Sequence, residues 1–208
     1  MLMMSACTTM DKPEFVGGAP IAIANAGRDV KVRWVWTELG PNARRSHFRI
    51  RDDAYDLPLI ADPHSPEYSS RETERAQRRQ LMEWELEEDI SHQVLEELKA
   101  CTNGGRMVDV LVRIEDLQYY AFEESEGEDR IAAVIEFFET DGSGPVGRYP
   151  VRAAAARTFS VEATSGGEGW SIGINDREDR MAERLGREIC KETFDSTARP
   201  SWWRNMTD

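Results

Sequence analysis

The chain has 208 residues, 40% of them apolar and 31% charged, enough for one domain with a real core and inconsistent with wholesale disorder. Asp and Glu number 39 against 26 Lys and Arg, a net charge of −13. Such a surface is poorly suited to nucleic acid, whose counterions are displaced by basic side chains. No apolar run approaches the roughly 20 residues that cross a bilayer, and three cysteines exclude a disulfide-dense scaffold and a four-thiolate zinc site.

In chain order, Met1-Leu2-Met3-Met4-Ser5-Ala6-Cys7 is an apolar stretch, two small residues and a cysteine. It resembles the end of a bacterial lipoprotein signal, where the cysteine is lipidated and becomes the new N-terminus. The resemblance implies acylation of Cys7 and a periplasmic, membrane-anchored address, with the outer membrane favoured. It departs from the pattern in lacking a basic flank and in having six residues before Cys7, where a signal core has roughly 7–15 apolar residues. Residues 1–28 are then a signal-like start and a tether. Within them residues 8–28, with Pro13, Gly17, Gly18 and Pro20, read as loop.

Val30, Val32, Trp34 and Trp36 alternate with Lys31, Arg33 and Val35, which predicts a strand. Residues 38–68 carry Gly40-Pro41, Pro58, Pro63, Pro66 and the basic cluster Arg44, Arg45, Arg49 and Arg51. They read as a long irregular insertion with a short strand around Phe48–Arg51, and a loop that long is usually functional or mobile. Ser69 and Glu72 have capping-box spacing. Leu86, Ile90, Val94, Leu98 and Cys101 follow a helical stripe, and Asn103-Gly104-Gly105 ends that helix. Met107–Phe122, Ile131–Glu139 and Arg148–Ala163 read as strands joined by an acidic turn at Glu123–Asp129 and by Asp141-Gly142-Ser143-Gly144-Pro145, a meander. Asn175 and Glu178 again have capping-box spacing. Met181, Ala182, Leu185 and Ile189 give a last helix ending near Phe194, and residues 196–208, with Trp202 and Trp203, form a tail.

Helices with one apolar stripe must cover an apolar sheet face. The expected fold is therefore α/β (α+β), a two-layer sandwich of a mostly antiparallel sheet under two amphipathic helices, over residues 29–195. A right-handed crossover makes the first two strands parallel. If the two helices pack side by side, Cys101 and Cys190 could be bonded in an oxidising compartment, or could serve as two buried thiols.

This layout, with its Cys near the start, its Gly-Gly-terminated helix, its turn Phe137-Phe138-Glu139-Thr140-Asp141-Gly142 and the strand beginning near Val146-Gly147, resembles small Gram-negative envelope lipoproteins. These include uncharacterised outer-membrane lipoproteins and auxiliary lipoproteins of lipid-transport ABC systems. The resemblance covers roughly residues 28–195 and implies no catalytic residues. The 38–68 segment, the acidity and the Trp-Trp tail depart from it.

Chemical motifs are sparse. Neither common phosphate cradle occurs, nor the Gly-x-Ser-x-Gly nucleophile elbow. Gly142-Ser143-Gly144 and Gly166-Gly167 sit in turns. His92 shares a helix face with Glu88 and Glu96, and Asp62, His64 and Glu67 lie between prolines. Either set could hold a metal, but the first reads as a solvated charged face. No cofactor and no metal site is expected. From Glu115 to Asp141 ten acids face one base, Arg130; a hairpin tip this acidic could bind a basic partner or a divalent cation, but it reads as a solubilising turn without the ligand spacing of a calcium loop. Arg44, Arg45, Arg49 and Arg51, with His47 and Phe48 interleaved, could meet anionic headgroups or an acidic protein. Trp202 and Trp203 are of the kind that favours interfaces.

The reading is a non-enzymatic envelope lipoprotein that binds a protein partner or an apolar, lipid-like ligand. The alternative is a cytoplasmic interaction module that oligomerises through an exposed sheet edge. A third is a metal-dependent hydrolase using His64 or His92.

Overall fold

The computed structural model describes residues 12–23, 29–54, 66–119, 128–141, 144–156 and 174–194. In chain order they form β1 (Val30–Leu39), α1 (Pro41–Ala54), α2 (Pro66–Cys101), β2 (Arg106–Gln118), β3 (Glu128–Glu139), β4 (Pro145–Ala156) and α3 (Ile174–Phe194). The sheet order is β1-β2-β3-β4. β1 is parallel to β2, and β2-β3-β4 is an antiparallel meander. This is the expected α+β sandwich, an open mixed sheet with helices on one face.

Two bulges decide which side chains are buried. β1 shifts register between Val32 and Trp34, and β2 between Ile114 and Asp116. Each extra residue lets the inward series resume after the break, so Val30, Val32, Val35 and Leu39 share a core face with Val108, Val110, Val112, Ile114 and Leu117. Ile131, Ala133, Ile135 and Phe137 of β3 continue that face. α2 lies over β1, and α3 lies over β4 and β3. Their stripes, Leu86, Ile90, Val94 and Leu98 with Met181, Leu185 and Ile189, are buried between helices and sheet. Burial of each large apolar side chain contributes about 1.5–3 kcal/mol. The two helices run in the same direction, with Gly186 against Glu97 and Cys101 bonded to Cys190 (S–S 2.04 Å, Cα–Cα 6.0 Å).

Residues 38–68 differ from the sequence reading. β1 continues to Leu39, Pro41–Ala54 is a helix rather than an irregular segment with a strand at Phe48–Arg51, and α2 begins at Pro66, before Ser69. Proline's fixed φ and missing N–H are both suited to the first turn of a helix, so Pro41 and Pro66 open α1 and α2. α1 lacks a continuous apolar stripe because only Ala43 and His47 of its first nine residues are fully buried. Gly40 N–H donates to Ile114 O (2.7 Å), Arg44 pairs with Glu83, and the Arg79 guanidinium lies 5.5 Å from the Phe48 ring centre. α1 therefore closes the end of the sandwich where β1 and β2 finish. β2 ends at Gln118, short of Phe122; β4 (Pro145–Ala156) begins three residues before the expected Arg148, and residues 157–163 of the expected strand lie outside the described residues. Of the expected acidic turn Glu123–Asp129, Glu128 and Asp129 belong to β3, and 123–127 lie outside the described residues.

Candidate functional site

The face of the sheet away from the helices carries charge. Arg33 pairs with Asp109, Arg106 with Glu139, and Arg113 with Glu38 (3.4 Å). The hydrogen bonds that Arg33 donates to Asp109 raise the Arg33 pKa above its ordinary value. Burying these groups without partners would be costly, and pairing removes that cost.

Across this face runs the segment 12–23. Lys12 Nζ donates to Thr37 O (3.1 Å) and pairs with Glu38 (3.6 Å) on β1. The Phe15 ring receives the Arg113 guanidinium of β2 at 4.5 Å. Val16 and Gly17 N–H donate to the two carboxylate oxygens of Glu136 on β3, each at 2.9 Å. Arg148 of β4 donates from Nε to Glu136 Oε1 (2.6 Å) and from Nη1 to Ala19 O (2.9 Å). Ile21 exchanges backbone hydrogen bonds with Arg148 (2.9 and 2.8 Å). Ile23 donates to the Tyr149 hydroxyl (2.6 Å) and buries its side chain in the core. Gly17 and Gly18 have φ of +67° and +114°, conformations that side chains disfavour. They turn the backbone so that successive N–H groups converge on one carboxylate. The region read as a tether is thus, from Lys12 to Ile23, a strap across all four strands.

The sheet edges are partly closed by the same kind of contact. On β1, Val32 N–H donates to Thr102 Oγ1 (3.4 Å) and Leu39 N–H to Glu87 Oε1 (2.9 Å), while Lys12 takes the Thr37 carbonyl. On β4, Ile21 occupies the edge at Arg148, and Pro150 has no N–H to offer. Edges blocked in this way resist strand-to-strand assembly, the route imagined for an oligomerising module.

The basic cluster splits by helical geometry. Asn42, Arg45, Ser46 and Arg49 line one open concavity of about 360 Å³ on the outer side of α1; their i, i+3, i+4, i+7 spacing puts them on one face. Arg45 bonds Asn42, and neither Arg45 nor Arg49 is paired with a carboxylate among the described residues. Arg44 points to the flank and is held by Glu83. The Arg51 side chain, Cys7, Trp202 and Trp203 lie outside the described residues. A neighbouring concavity of about 800 Å³, lined by Asn42, Asp116, Gln118, Arg130, Arg152 and Ala154 among others, continues onto the outer sheet face.

His47, interleaved among these arginines, is turned inward and is 1% exposed. Its Nδ1 lies 3.3 Å from Glu178 Oε1, which also accepts the Tyr119 hydroxyl (2.9 Å). Beside them Arg177 holds Asp129 through both oxygens, and that bond raises the Arg177 pKa. This cluster joins α1, the end of β2, the start of β3 and the start of α3. Its burial closes it to a substrate, so it reads as a structural tie. Glu88, His92 and Glu96 are exposed on α2, with Glu96 holding Lys99 (2.7 Å). Asp62, His64 and the glycines at 142, 166 and 167 lie outside the described residues, among which no group of three metal-binding side chains occurs.

The strap was not legible in the sequence, although two signals were present: the Gly17-Gly18 doublet, and Glu136 alone within the apolar run Val134–Phe138. No protein-family model and no curated protein matches the chain. Among solved structures, a protein from Caulobacter crescentus CB15 described as a lipoprotein has 10% identity and a TM-score of 0.38, over 53% of this chain and 81% of its own. A Xanthomonas campestris protein of family DUF330 has 9% identity and a TM-score of 0.35, over 90% and 95%. The PelC dodecamer from Paraburkholderia phytofirmans has 8% identity and a TM-score of 0.31, over 83% and 93%.

Proposed function

We propose that this chain is a non-enzymatic cell-envelope domain, anchored by lipid on Cys7, that presents a polar binding surface at α1. The observation that carries the reading is the Cys101–Cys190 bond between two helices, because structural disulfides persist in oxidising compartments such as the bacterial periplasm and are rare in the cytosol. The Ser5-Ala6-Cys7 start supports the same address. No helix among the described residues is long and apolar enough to cross a membrane, so attachment falls to the lipid. Polar and charged side chains predominate in the two concavities, which suits a charged partner surface better than an apolar ligand.

The test is palmitate labelling of the product of the native locus in a Gram-negative cell, with thiol alkylation before lysis. Expected are a labelled, membrane-bound chain, loss of label and release on Cys7→Ser, and Cys101 and Cys190 protected from alkylation. An unlabelled soluble chain starting at Met1 with all three thiols alkylated would replace this reading with the cytoplasmic interaction module.

A further inference from the structure

Beyond the strap, the outer sheet face opens into the concavity of about 800 Å³. One row of side chains crosses three strands there. Asp116 of β2 is in register with Ala132 of β3, and Ala132 with Arg152 of β4. All three line the concavity. Opposed residues in antiparallel strands have Cα atoms alternately about 4.5 and 5.5 Å apart, so those of Asp116 and Arg152 are about 10 Å apart, with one methyl group between them. The chain leaves both charges unmet. Arg33, Arg106, Arg113 and Arg148, the arginines of the neighbouring rows, are each held by a carboxylate. Arg152 is exposed and has no carboxylate partner among the described residues. Asp116 accepts one hydrogen bond, from the Gln118 side-chain N–H (2.7 Å), and has no cationic partner among them.

The concavity therefore has two flanks of opposite sign. On the β2 side are Asp116 and Glu115, the latter already held by Arg113 (3.0 Å). On the other side are Arg152 and, diagonal to it on β3, Arg130; Glu128 lies one row further along β3. A simple anion or a simple cation would meet one flank of its own sign, an arrangement that selects against both. A ligand carrying both charges suits both flanks. Two neutral amides line the same concavity. Asn42 Oδ1 accepts from Arg45, which leaves the Asn42 side-chain N–H groups as donors. The Gln118 N–H is given to Asp116, which leaves Gln118 Oε1 as an acceptor. One donor and one acceptor match the needs of a peptide unit. Length selects further. The nitrogen and carboxyl carbon of one amino acid are about 2.5 Å apart, and a second residue adds up to about 3.8 Å. With a charge-assisted contact of about 2.8 Å at each end, an extended dipeptide spans about 12 Å, comparable with the Asp116–Arg152 separation.

We infer that this concavity binds a small zwitterion of dipeptide length, its ammonium group on Asp116 and its carboxylate on Arg152. The site is independent of the anchor on Cys7, so failure of either reading leaves the other intact. The test is an NMR titration of the full, isotope-labelled chain with alanyl-alanine at neutral pH and low salt. Saturable amide shifts are expected at Asp116, Ala132, Arg152 and Ala154, with a Kd on the order of 1 mM. Acetylating the ammonium end of the dipeptide, or amidating its carboxylate, should each weaken binding at least about tenfold, the usual effect of losing a hydrogen bond to a charged group. Arg152→Gln should bind the free and amidated dipeptides alike, and Asp116→Asn the free and acetylated ones alike, because each variant removes the contact that the matching block removes. Neither residue belongs to the buried core or to an ion pair among the described residues, so both variants should keep the fold, which the unshifted remainder of the spectrum reports. Absence of saturable shifts at these four positions up to about 20 mM dipeptide would overturn the inference. So would a blocked dipeptide that binds as tightly as the free one, or an Arg152→Gln chain that still prefers the free carboxylate as strongly as the parent does.

Discussion

Glu136 and Arg148 face each other across neighbouring strands, their side chains 2.6 Å apart, and both are buried under residues 16–19. The pair lies on the side of the sheet that would otherwise be open to solvent. What buries it is the N-terminal segment, whose two N–H groups and one carbonyl complete its hydrogen bonds. A buried ion pair stripped of one partner is strongly destabilising because the other charge is left behind. Arg148→Ala should therefore cost about 3–5 kcal/mol in urea denaturation and open residues 12–23 to limited proteolysis. A loss under about 1 kcal/mol with the segment still protected would show that the pair does not hold the strap.

Gly147 lets the strap turn the edge of β4. A Cβ at that position would overlap the Ile23 side chain. Gly147→Ala should destabilise by about 1–3 kcal/mol, the usual cost of overpacking. Much of that cost should vanish when Gly147→Ala is made in an Ile23→Ala background, a coupling a double-mutant cycle reads directly. Additive effects would mean that the two residues do not meet.

The bond between Cys101 and Cys190 spans 89 residues of chain. Closing so long a loop restricts the unfolded ensemble, and removing such a bond typically costs about 2–5 kcal/mol. Thermal melts with and without dithiothreitol should differ accordingly, and Cys101→Ala/Cys190→Ala should match the reduced protein and ignore the reductant. A reductant effect that persists in the double variant would assign it elsewhere.

Glu87 supplies a pH-dependent term. Burial raises its carboxyl pKa above the ordinary 4.5, partly offset by the Leu39 N–H bond and by Lys12. A carboxyl raised on folding contributes most below its unfolded pKa, and the contribution is lost as pH rises through the folded value. Glu87→Gln keeps an oxygen for the Leu39 N–H and removes the charge. It should be more stable than the parent at neutral pH by less than about 1 kcal/mol, given the partial exposure. The difference should shrink as pH falls to about 4.5. A difference independent of pH would show that the Glu87 charge is not what is being removed.

Local patterns carried much of the architecture. The alternation of Val30 to Trp36, the stripe from Leu86 to Leu98, and the strand patterns around Val108–Ile114 and Ile131–Phe137 each repeat with the period of their element, and each element forms where that period appears. The parallel first pair and the meander follow from chain connectivity. Tertiary structure decided two things that no local period encodes. α1 is a helix whose Ala43 and His47 are buried beside β2 and Glu178, a tertiary contact invisible in a segment rich in arginine and proline. Residues 12–23 are a strap because the buried charges of Glu136, 120 residues from Val16 and 119 from Gly17, and of Arg148, 129 residues from Ala19, need partners. A charged pair at that distance in sequence can be read as two strand residues; only the folded sheet shows that they share one cover.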